Sequence, residues 1–257
     1  MTTIKTADEI KILKDGGFML ADILNEVQKS VEEGVTTKYL DELAESLILK
    51  NGATPSFKNY NPAGSPRPYP ASMCTCINEE VVHSIPSERK LKNGDLFSFD
   101  LGLWLKELCV DAARTKIVGG KGSKTAEKLI WVTENSLYEG IGVIREGAKL
   151  GDIGHAIQSY VEKNSDFGIV RDLTGHGVGY KVHEDPYVLN YGRKGTGETL
   201  ISGMVLALEP MITEGSYHIK YSRDGWGIET KDGKLSAHFE HTIVVTKDGF
   251  EILTTTS

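Results

Sequence analysis

The chain has 257 residues, of which 39% are hydrophobic and 25% are charged, and its net charge is −7. This length suffices for one domain with a sizeable core. The acidic balance, with lysines and arginines dispersed along the chain, argues against a nucleic-acid-binding surface. No run of 18 apolar residues occurs, so the sequence predicts no membrane span.

The cysteines and the N-terminus indicate the cellular compartment in which the protein resides. Cys74, Cys76 and Cys109 are too few, and odd in number, for a disulfide framework, which favours a reducing environment. The N-terminus lacks the basic region and the apolar stretch of a signal peptide. Both features predict a cytoplasmic protein.

The first elements are helical. Thr6 and Glu9 form a capping-box pattern, and apolar residues then recur at helical spacing up to a break at Gly34. A second helix is predicted from Thr37 to a stop at Asn51-Gly52. Residues 54–70 are rich in proline, asparagine and glycine, which predicts a long and functional surface loop.

Strands and helices alternate in the rest of the chain. Strands are predicted at 72–77 and 81–85, and a hairpin is predicted over 96–118. Helical spacing returns at 125–144 and 153–161, and short strands are predicted at 205–208, 211–212 and 242–245.

A weak internal repeat links the two parts of the chain. Glu33-Gly34 and Glu146-Gly147 each separate a helical stretch from a shorter one, with apolar residues at the same distances behind them. Two ordinary helical hairpins would give this pattern. Two related halves, roughly 1–120 and 121–257 of a single catalytic domain 1–257, would give it too, and would leave a cleft between them.

Two aspartates stand in the arms of the predicted hairpin. A two-residue turn at Leu105-Lys106 would put Asp100 directly opposite Asp111, with Cβ atoms about 4.5–5.5 Å apart. Two like charges at that distance in apolar sequence are destabilising unless something positive lies between them, so they need a charged partner or a metal. Either aspartate alone is commonly a solvated turn residue, so it is the pair that indicates a metal.

Three further residues extend this acidic set. His176 stands between glycines that strip away side-chain bulk, and Glu209 and Glu240 lie in apolar runs where a charge is costly. Singly, the histidine is commonly structural and each glutamate commonly marks a strand edge. Together, four carboxylates would be neutralised by two divalent cations.

The donor types also indicate the chemistry. Carboxylates with a single imidazole favour Mn, Fe(II) or Co(II) over a thiolate-type zinc site. Two ions about 3.5–4 Å apart lower the pKa of a shared water and stabilise a tetrahedral intermediate. The set therefore predicts a hydrolase.

The ordered residues resemble the five-ligand signature of the methionine aminopeptidase family, over nearly the whole chain. The matching words include His83-Ser84-Ile85-Pro86, Leu208-Glu209-Pro210 and Glu240-His241-Thr242. The separation of 33 positions from His176 to Glu209 is similar to that of the short, bacterial-like type 1 form. The resemblance implies the pita-bread fold, an α/β (α+β) arrangement of two pseudo-symmetric halves with antiparallel strands inside and helices outside.

The resemblance also implies roles at a dinuclear centre that takes Co, Mn, Fe(II) or Zn. Asp100 would chelate one ion, and His176 with Glu209 would complete the second. Asp111 and Glu240 would bridge both ions. Glu209 would also act as a catalytic residue that exchanges protons with the attacking water.

On the substrate side, the resemblance implies that His83 and His183 act on the scissile amide as catalytic and binding residues. Tyr69, Cys74 and Trp226 match wall positions of a methionine pocket. Pro66, or a neighbour in residues 64–68, and Val182 stand where aromatic rings are usual, so a wider pocket is expected. N-terminal Met peptides and nascent chains at the ribosome are the expected partners of a monomeric enzyme, with no nucleic-acid site and no membrane contact.

Two other interpretations fit the same fold. A proline-specific aminopeptidase or prolidase would carry a large N-terminal domain, for which Asp100 lies too early in the chain. A metal-free binding module would lack ligands, whereas all five are present.

Overall fold

The computed structural model describes residues 2–62, 64–65 and 67–256, which form four α-helices and fifteen β-strands. The helices are α1 (Ala7–Lys29), α2 (Thr37–Lys50), α3 (Lys124–Gly142) and α4 (Leu150–Asn164). The strands of the first half are β1 (Thr54–Pro55), β2 (Met73–Ile77), β3 (Glu80–Val82), β4 (Leu96–Leu105) and β5 (Leu108–Ile117). The strands of the second half are β6 (Gly168–Ile169), β7 (Gly175–Gly177), β8 (Glu184–Val188), β9 (Val205–Leu208), β10 (Met211–Thr213), β11 (Ile219–Tyr221), β12 (Ile228–Thr230), β13 (Ser236–His238), β14 (His241–Val245) and β15 (Phe250–Ile252).

The start of α1 follows the predicted capping box. The Thr6 hydroxyl accepts a hydrogen bond from the Glu9 N–H at 3.3 Å, and the Glu9 carboxylate accepts one from the Thr6 N–H at 2.7 Å. The helix ends at Lys29, earlier than the predicted break at Gly34. The reason is that Gly34 belongs to a separate turn, whose N–H donates to the carbonyl of Leu91 at 2.8 Å.

The strands pair antiparallel in four sheets. The first sheet has the order β1-β4-β2, with β5 on the other side of β4, and the largest has the order β15-β14-β9-β7-β8. Two three-stranded sheets, β13-β10-β6 and β11-β12-β3, complete the set. The helices cover these sheets from outside, so the strands form the interior.

Two main cores join helices to sheets. The larger core lies between α1, α2 and the β4–β5 hairpin, and includes Leu20, Leu24 and Leu101. The second lies between α3, α4 and the β9–β14 pair, and includes Ile157 and Ile243. These five side chains are fully buried, and each such burial contributes about 1.5–3 kcal/mol to stability.

The two helix pairs make corresponding contacts. Gly34 has a φ of +84° and donates its N–H to the carbonyl of Leu91 at 2.8 Å. Gly147 has a φ of +86° and donates to the carbonyl of Leu200 at 2.9 Å. Left-handed φ values favour glycine, so both Glu-Gly breaks have the same cause. This correspondence supports the division into halves 1–120 and 121–257, which stays a prediction.

None of the helices in the described part of the chain combines the length and apolar character that a membrane crossing requires.

Candidate metal centre

The ten residues predicted as metal ligands, catalytic residues or substrate-binding residues line one cleft with a volume of about 530 Å³. They are Tyr69, Cys74, His83, Asp100, Asp111, His176, His183, Glu209, Trp226 and Glu240. The cleft falls within the usual range of ligand pockets, roughly 300–1,000 Å³.

The β4–β5 hairpin carries both aspartates, but in a different register from the one predicted. Its turn is Lys106-Glu107, both with positive φ, instead of Leu105-Lys106. Asp100 therefore pairs with Ala113, and Asp111 pairs with Gly102. The predicted direct pairing is wrong, yet the two carboxylates remain diagonal neighbours on one face because side chains alternate with a period of two.

His176 lies in β7 between two glycines, each of which lies very close to the backbone of a neighbouring strand. A Cβ on Gly175 would lie 2.4 Å from the carbonyl oxygen of Ala207, and one on Gly177 would lie 2.2 Å from that of Asp185. Only glycine fits these positions, so the flanking glycines let β7 pack tightly on both sides. His176 is thereby held at the cleft by rigid strands.

The imidazole of His176 presents a defined nitrogen. Its Nδ1 lies 2.9 Å from the carbonyl oxygen of Gly177, which can only accept, so Nδ1 carries the proton and donates. The Nε2 atom keeps its lone pair and lies 3.3 Å from Oε1 of Glu209. A neutral imidazole with a fixed second nitrogen is the usual form of a metal-ligating histidine.

The two glutamates flank paired strands. Glu209 follows β9 and Glu240 precedes β14, and the residues beside them, Leu208 and His241, are direct partners across these strands. The N–H of Glu240 donates to the carbonyl of Ala113 at 3.0 Å, which ties it to β5. Strands from both halves thus deliver their carboxylates to one point.

The five predicted ligands form what we call the acidic floor: Asp100, Asp111, His176, Glu209 and Glu240. One ligand atom each from Asp111, His176 and Glu240 lie within 4.8 Å of one another. Glu209 joins this group through its contact with His176, and Asp100 joins it through proximity to Asp111, whose charge helps to raise the pKa of Asp100.

Burial and mutual repulsion set the protonation of the acidic floor. Burial raises the pKa of Asp111 to about 7. Burial, followed by the charge of Asp111, also raises the pKa values of Asp100, Glu209 and Glu240 well above their usual range. Burial lowers the pKa of His176 to about 3, so this ring is neutral. Without cations, ionisation of all four carboxyl groups is therefore unfavourable.

The donor set fits divalent cations. Asp100 Oδ1, Asp111 Oδ1 and Glu240 Oε1 are buried and have no hydrogen-bond partner among the described residues. No ion pair within residues 2–62, 64–65 and 67–256 includes Asp100, Asp111 or Glu240. Buried, unpartnered carboxylate oxygens are the hard ligands that such ions take.

His83 and His183 border the acidic floor from two loops. The predicted strand at 81–85 ends at Val82, because His83 takes a left-handed backbone with a φ of +62°. Such a conformation is uncommon for a residue with a Cβ, and it marks candidate functional positions. Burial lowers the pKa of His83 to about 4. The ring of His183 packs edge-on against that of His176, with centroids 4.4 Å apart.

Four rings form what we call the aromatic wall: Phe57, Tyr60, Tyr69 and Trp226, all of which line the cleft. Tyr69 and Trp226 meet edge to face at 5.1 Å, and Cys74 lies directly opposite Asp100 in the β2–β4 pair. Sequence analysis missed Phe57 and Tyr60, although lone aromatic residues in a polar loop were a usable signal.

The two positions expected to widen the pocket have different outcomes. Pro66 lies outside the described residues. Val182 is 2% exposed and packs into the larger core, and it lines a neighbouring cavity instead of the cleft. The rings of Phe57 and Tyr60 are present in the cleft, so its wall remains aromatic.

A sixth side chain at the acidic floor was also missed. His238, in β13, is 2% exposed, and its Nε2 lies 3.5 Å from Oε2 of Glu209. Glu209 is thus flanked by imidazoles on both oxygens, since His176 lies against Oε1. The sequence did not indicate this contact with Glu209. Neither the alternation of side chains in β13 nor the closeness of His238 to Glu240 in the chain points to it.

Comparison with known proteins gives consistent matches. The profile of metallopeptidase family M24 matches residues 11–247. Methionine aminopeptidase of Clostridium perfringens is 47% identical over 254 residues, which are 99% of this chain and 99% of that protein. The crystal structure of methionine aminopeptidase from Rickettsia prowazekii has a TM-score of 0.94 at 44% identity, covering 99% of this chain and 100% of that one.

A more distant structure shares the architecture. Prolidase from Pyrococcus horikoshii has a TM-score of 0.75 at 20% identity, over 99% of this chain and 64% of that one. At this identity the likeness shows the fold alone. The predicted pita-bread fold is confirmed by these comparisons.

Proposed function

Since the chain belongs to metallopeptidase family M24, we propose that it removes the N-terminal methionine from nascent proteins and peptides, with a preference for a small second residue. The observation that carries the proposal is the convergence of four carboxylates and His176 at the bottom of an aromatic-walled cleft. The full-length identity to proteins named methionine aminopeptidase supports the substrate class.

We assign the acidic floor as the site of two divalent cations, drawn from Co, Mn, Fe(II) and Zn. Four carboxylates carry four negative charges, which two such cations balance. One ligand atom each from Asp111, His176 and Glu240 lie within 4.8 Å of one another, so Asp111 and Glu240 would serve both ions, His176 and Glu209 would hold one of them, and Asp100 in β4 would hold the other. When bound, the cations supply Lewis acidity to the scissile carbonyl and a lower pKa to the attacking water.

Glu209 is the proposed proton carrier. Burial raises the pKa of its carboxyl group, which suits a base that must take a proton from water and return it to the leaving amine near neutral pH. Its two oxygens lie beside His176 and His238. These contacts limit rotation of the carboxylate, so its orientation toward the reacting water is maintained.

His83 and His183 act on the peptide. Both imidazoles line the cleft above the acidic floor, where a donor N–H stabilises the oxyanion that develops on the scissile carbonyl.

The aromatic wall is the proposed methionine pocket. Tyr69, Trp226 and the adjacent Cys74 give a thioether side chain apolar and polarisable contacts. The free α-amino group of the substrate would approach an ion at the acidic floor directly, which would restrict cleavage to the first residue. In this proposal the enzyme is a cytoplasmic monomer that acts on chains emerging from the ribosome.

Peptide cleavage with a defined metal content tests the proposal. Purified protein reconstituted with Mn or Co should release methionine from Met-Ala-Ser but not from a Met-Lys peptide. Metal analysis of the same sample should give two ions per chain. Preference for Xaa-Pro peptides would favour a prolidase-type activity, and failure with every divalent ion, with no metal retained, would favour a binding module.

A further inference from the structure

Tyr60 and His183 form a hydrogen-bonded pair in the lining of the cleft. The hydroxyl oxygen of Tyr60 lies 2.7 Å from Nδ1 of His183, and the ring centroids are 5.3 Å apart. Both residues line the cleft and also a second cavity of about 430 Å³ outside it. The pair therefore forms the partition between the two spaces, so the ring of His183 can face the substrate only with its other edge.

This hydrogen bond determines which nitrogen of His183 carries a proton. Burial raises the pKa of Tyr60 above its usual range, so the phenol keeps its proton and is available to donate. When a phenol donates to Nδ1, the proton of a neutral imidazole resides on Nε2. Nε2–H is then the group that His183 offers to the cleft.

The neighbouring His176 has the opposite arrangement. Its Nδ1 donates to the carbonyl of Gly177 at 2.9 Å, which leaves Nε2 with a lone pair for a metal. The two rings touch at 4.4 Å between centroids. These two neighbouring rings thus have different partners at Nδ1, a carbonyl for His176 and a phenol for His183. As a result, Nε2 carries a lone pair in His176 and a proton in His183.

We propose that Tyr60 is a positioning residue, whose hydroxyl holds His183 as the Nε2–H tautomer so that it donates a hydrogen bond to the carbonyl oxygen of the scissile peptide. The role at the peptide rests on the proposed function, whereas the tautomer does not. Tyr60 acts only through His183 in this scheme.

Other hydrogen bonds anchor both loops, so the Tyr60 hydroxyl can be removed without disturbing the fold. The loop of His183 is anchored through Glu184, which accepts hydrogen bonds from the N–H of Lys181 at 2.9 Å and from Lys5 Nζ at 3.0 Å. The backbone of Tyr60 is anchored by the N–H of Tyr69, which donates to its carbonyl at 2.8 Å. Removing one oxygen therefore releases the ring of His183 and leaves both loops in place.

The test is Tyr60→Phe, with Tyr138→Phe as the matched control. Tyr138 also meets a histidine, with its hydroxyl 3.3 Å from Nε2 of His241, but outside the cleft. In the ¹⁵N NMR spectrum of metal-free protein, His183, assigned by its absence in His183→Ala, should show the Nε2–H pattern. Tyr60→Phe should shift this pattern toward a mixture of tautomers, and Tyr138→Phe should leave it unchanged.

Kinetics with Met-Ala-Ser complete the test. Tyr60→Phe should lower kcat about tenfold with little change in KM, less than the roughly 10²–10³-fold loss seen when a donor is deleted outright. An Nδ1–H pattern in the wild type, an unchanged pattern in Tyr60→Phe, or an unchanged kcat would each overturn the proposal. If the pattern shifts but the wild type cleaves no Met peptide, the tautomer assignment stands and the proposed function fails.

Discussion

The acidic floor and the aromatic wall face the same cleft but are built in different ways. The floor residues lie on or beside paired strands, and three of their oxygens are buried with no hydrogen-bond partner in the described part of the chain. The wall comes from loops: Phe57, Tyr60 and Tyr69 lie between β1 and β2, and Trp226 lies between β11 and β12.

The electrostatic state of the two regions differs as well. Carboxylates in the acidic floor repel one another, and their pKa values are raised. Hydroxyls in the aromatic wall are satisfied: Tyr69 donates to the carbonyl of Ser84 at 3.0 Å, and Tyr60 meets His183. Rigid strands hold the groups that would otherwise separate, whereas loops carry the groups that select a substrate and can vary without disturbing a sheet.

The largest expected effect follows from removing charge in the acidic floor. Asp111→Asn or Glu240→Gln keeps the side-chain volume but removes a proposed bridging ligand of both ions. We expect kcat/KM to fall at least about 10³-fold, since metal-ion catalysis supplies several kcal/mol. Calorimetric titration with Mn should show weaker binding as well.

A matched control distinguishes the acidic floor from other carboxylates. Asp41 is half-buried, and its Oδ1 accepts hydrogen bonds from the N–H groups of Ser72 and Met73 at 2.8 Å. Asp41→Asn keeps an acceptor there and should leave metal binding intact. Full activity in Asp111→Asn or Glu240→Gln would refute the ligand assignment.

A smaller effect concerns selection by the aromatic wall. Trp226→Ala removes a ring that packs against Tyr69, so methionine should lose its advantage over other apolar residues. We expect the ratio of kcat/KM for Met-Ala-Ser over Leu-Ala-Ser to fall about tenfold, as for a single pocket contact. Trp131→Ala, on an exposed face of α3, is the control. An unchanged ratio in Trp226→Ala would exclude this residue from the pocket.

The smallest expected effect is the contribution of Asp111 to the pH dependence of stability. The pKa of Asp111 is about 7 in the folded protein and about 4 when unfolded. The folded state therefore binds the proton more tightly, so this contribution to stability falls as the pH rises from about 4 to about 7 and is lost above that range. In metal-free protein the melting temperature of the wild type, measured relative to that of Asp111→Asn, should rise by about 2–3 °C from pH 8 to pH 6.5.

The comparison with Asp111→Asn is needed because buried histidines oppose the trend over the same interval. His176 and His83, with folded pKa values of about 3 and about 4, take up their protons only on unfolding. Both proteins share this contribution, so it cancels in the difference, and saturating Mn should abolish the relative rise. A relative melting temperature that falls from pH 8 to pH 6.5 in the metal-free proteins would contradict the assigned protonation of Asp111.

Much of the architecture could be predicted because it depends on local pattern. The capping box at Thr6, the helical spacing of α1 to α4 and the β4–β5 hairpin follow from periodicity and from residues close in sequence. The carboxylate at Asp100 and its apolar neighbours also identify a costly buried charge before any fold is known. Chemistry that is encoded by residue type in a short window is available from the sequence alone.

The tertiary structure decided everything that depends on distant contacts or on unusual backbone. The turn at Lys106-Glu107 has two non-glycine residues with positive φ and none of the usual asparagine-glycine signal, so the hairpin register was not predictable. The left-handed backbone of His83 ends β3 at Val82, although the sequence of residues 81–85 favours a strand. The pairing of Tyr60 with His183, and of His238 with Glu209, joins positions far apart in the chain. Periodicity carries no information about such pairs, because only the packing of complete sheets and loops brings them within hydrogen-bond range.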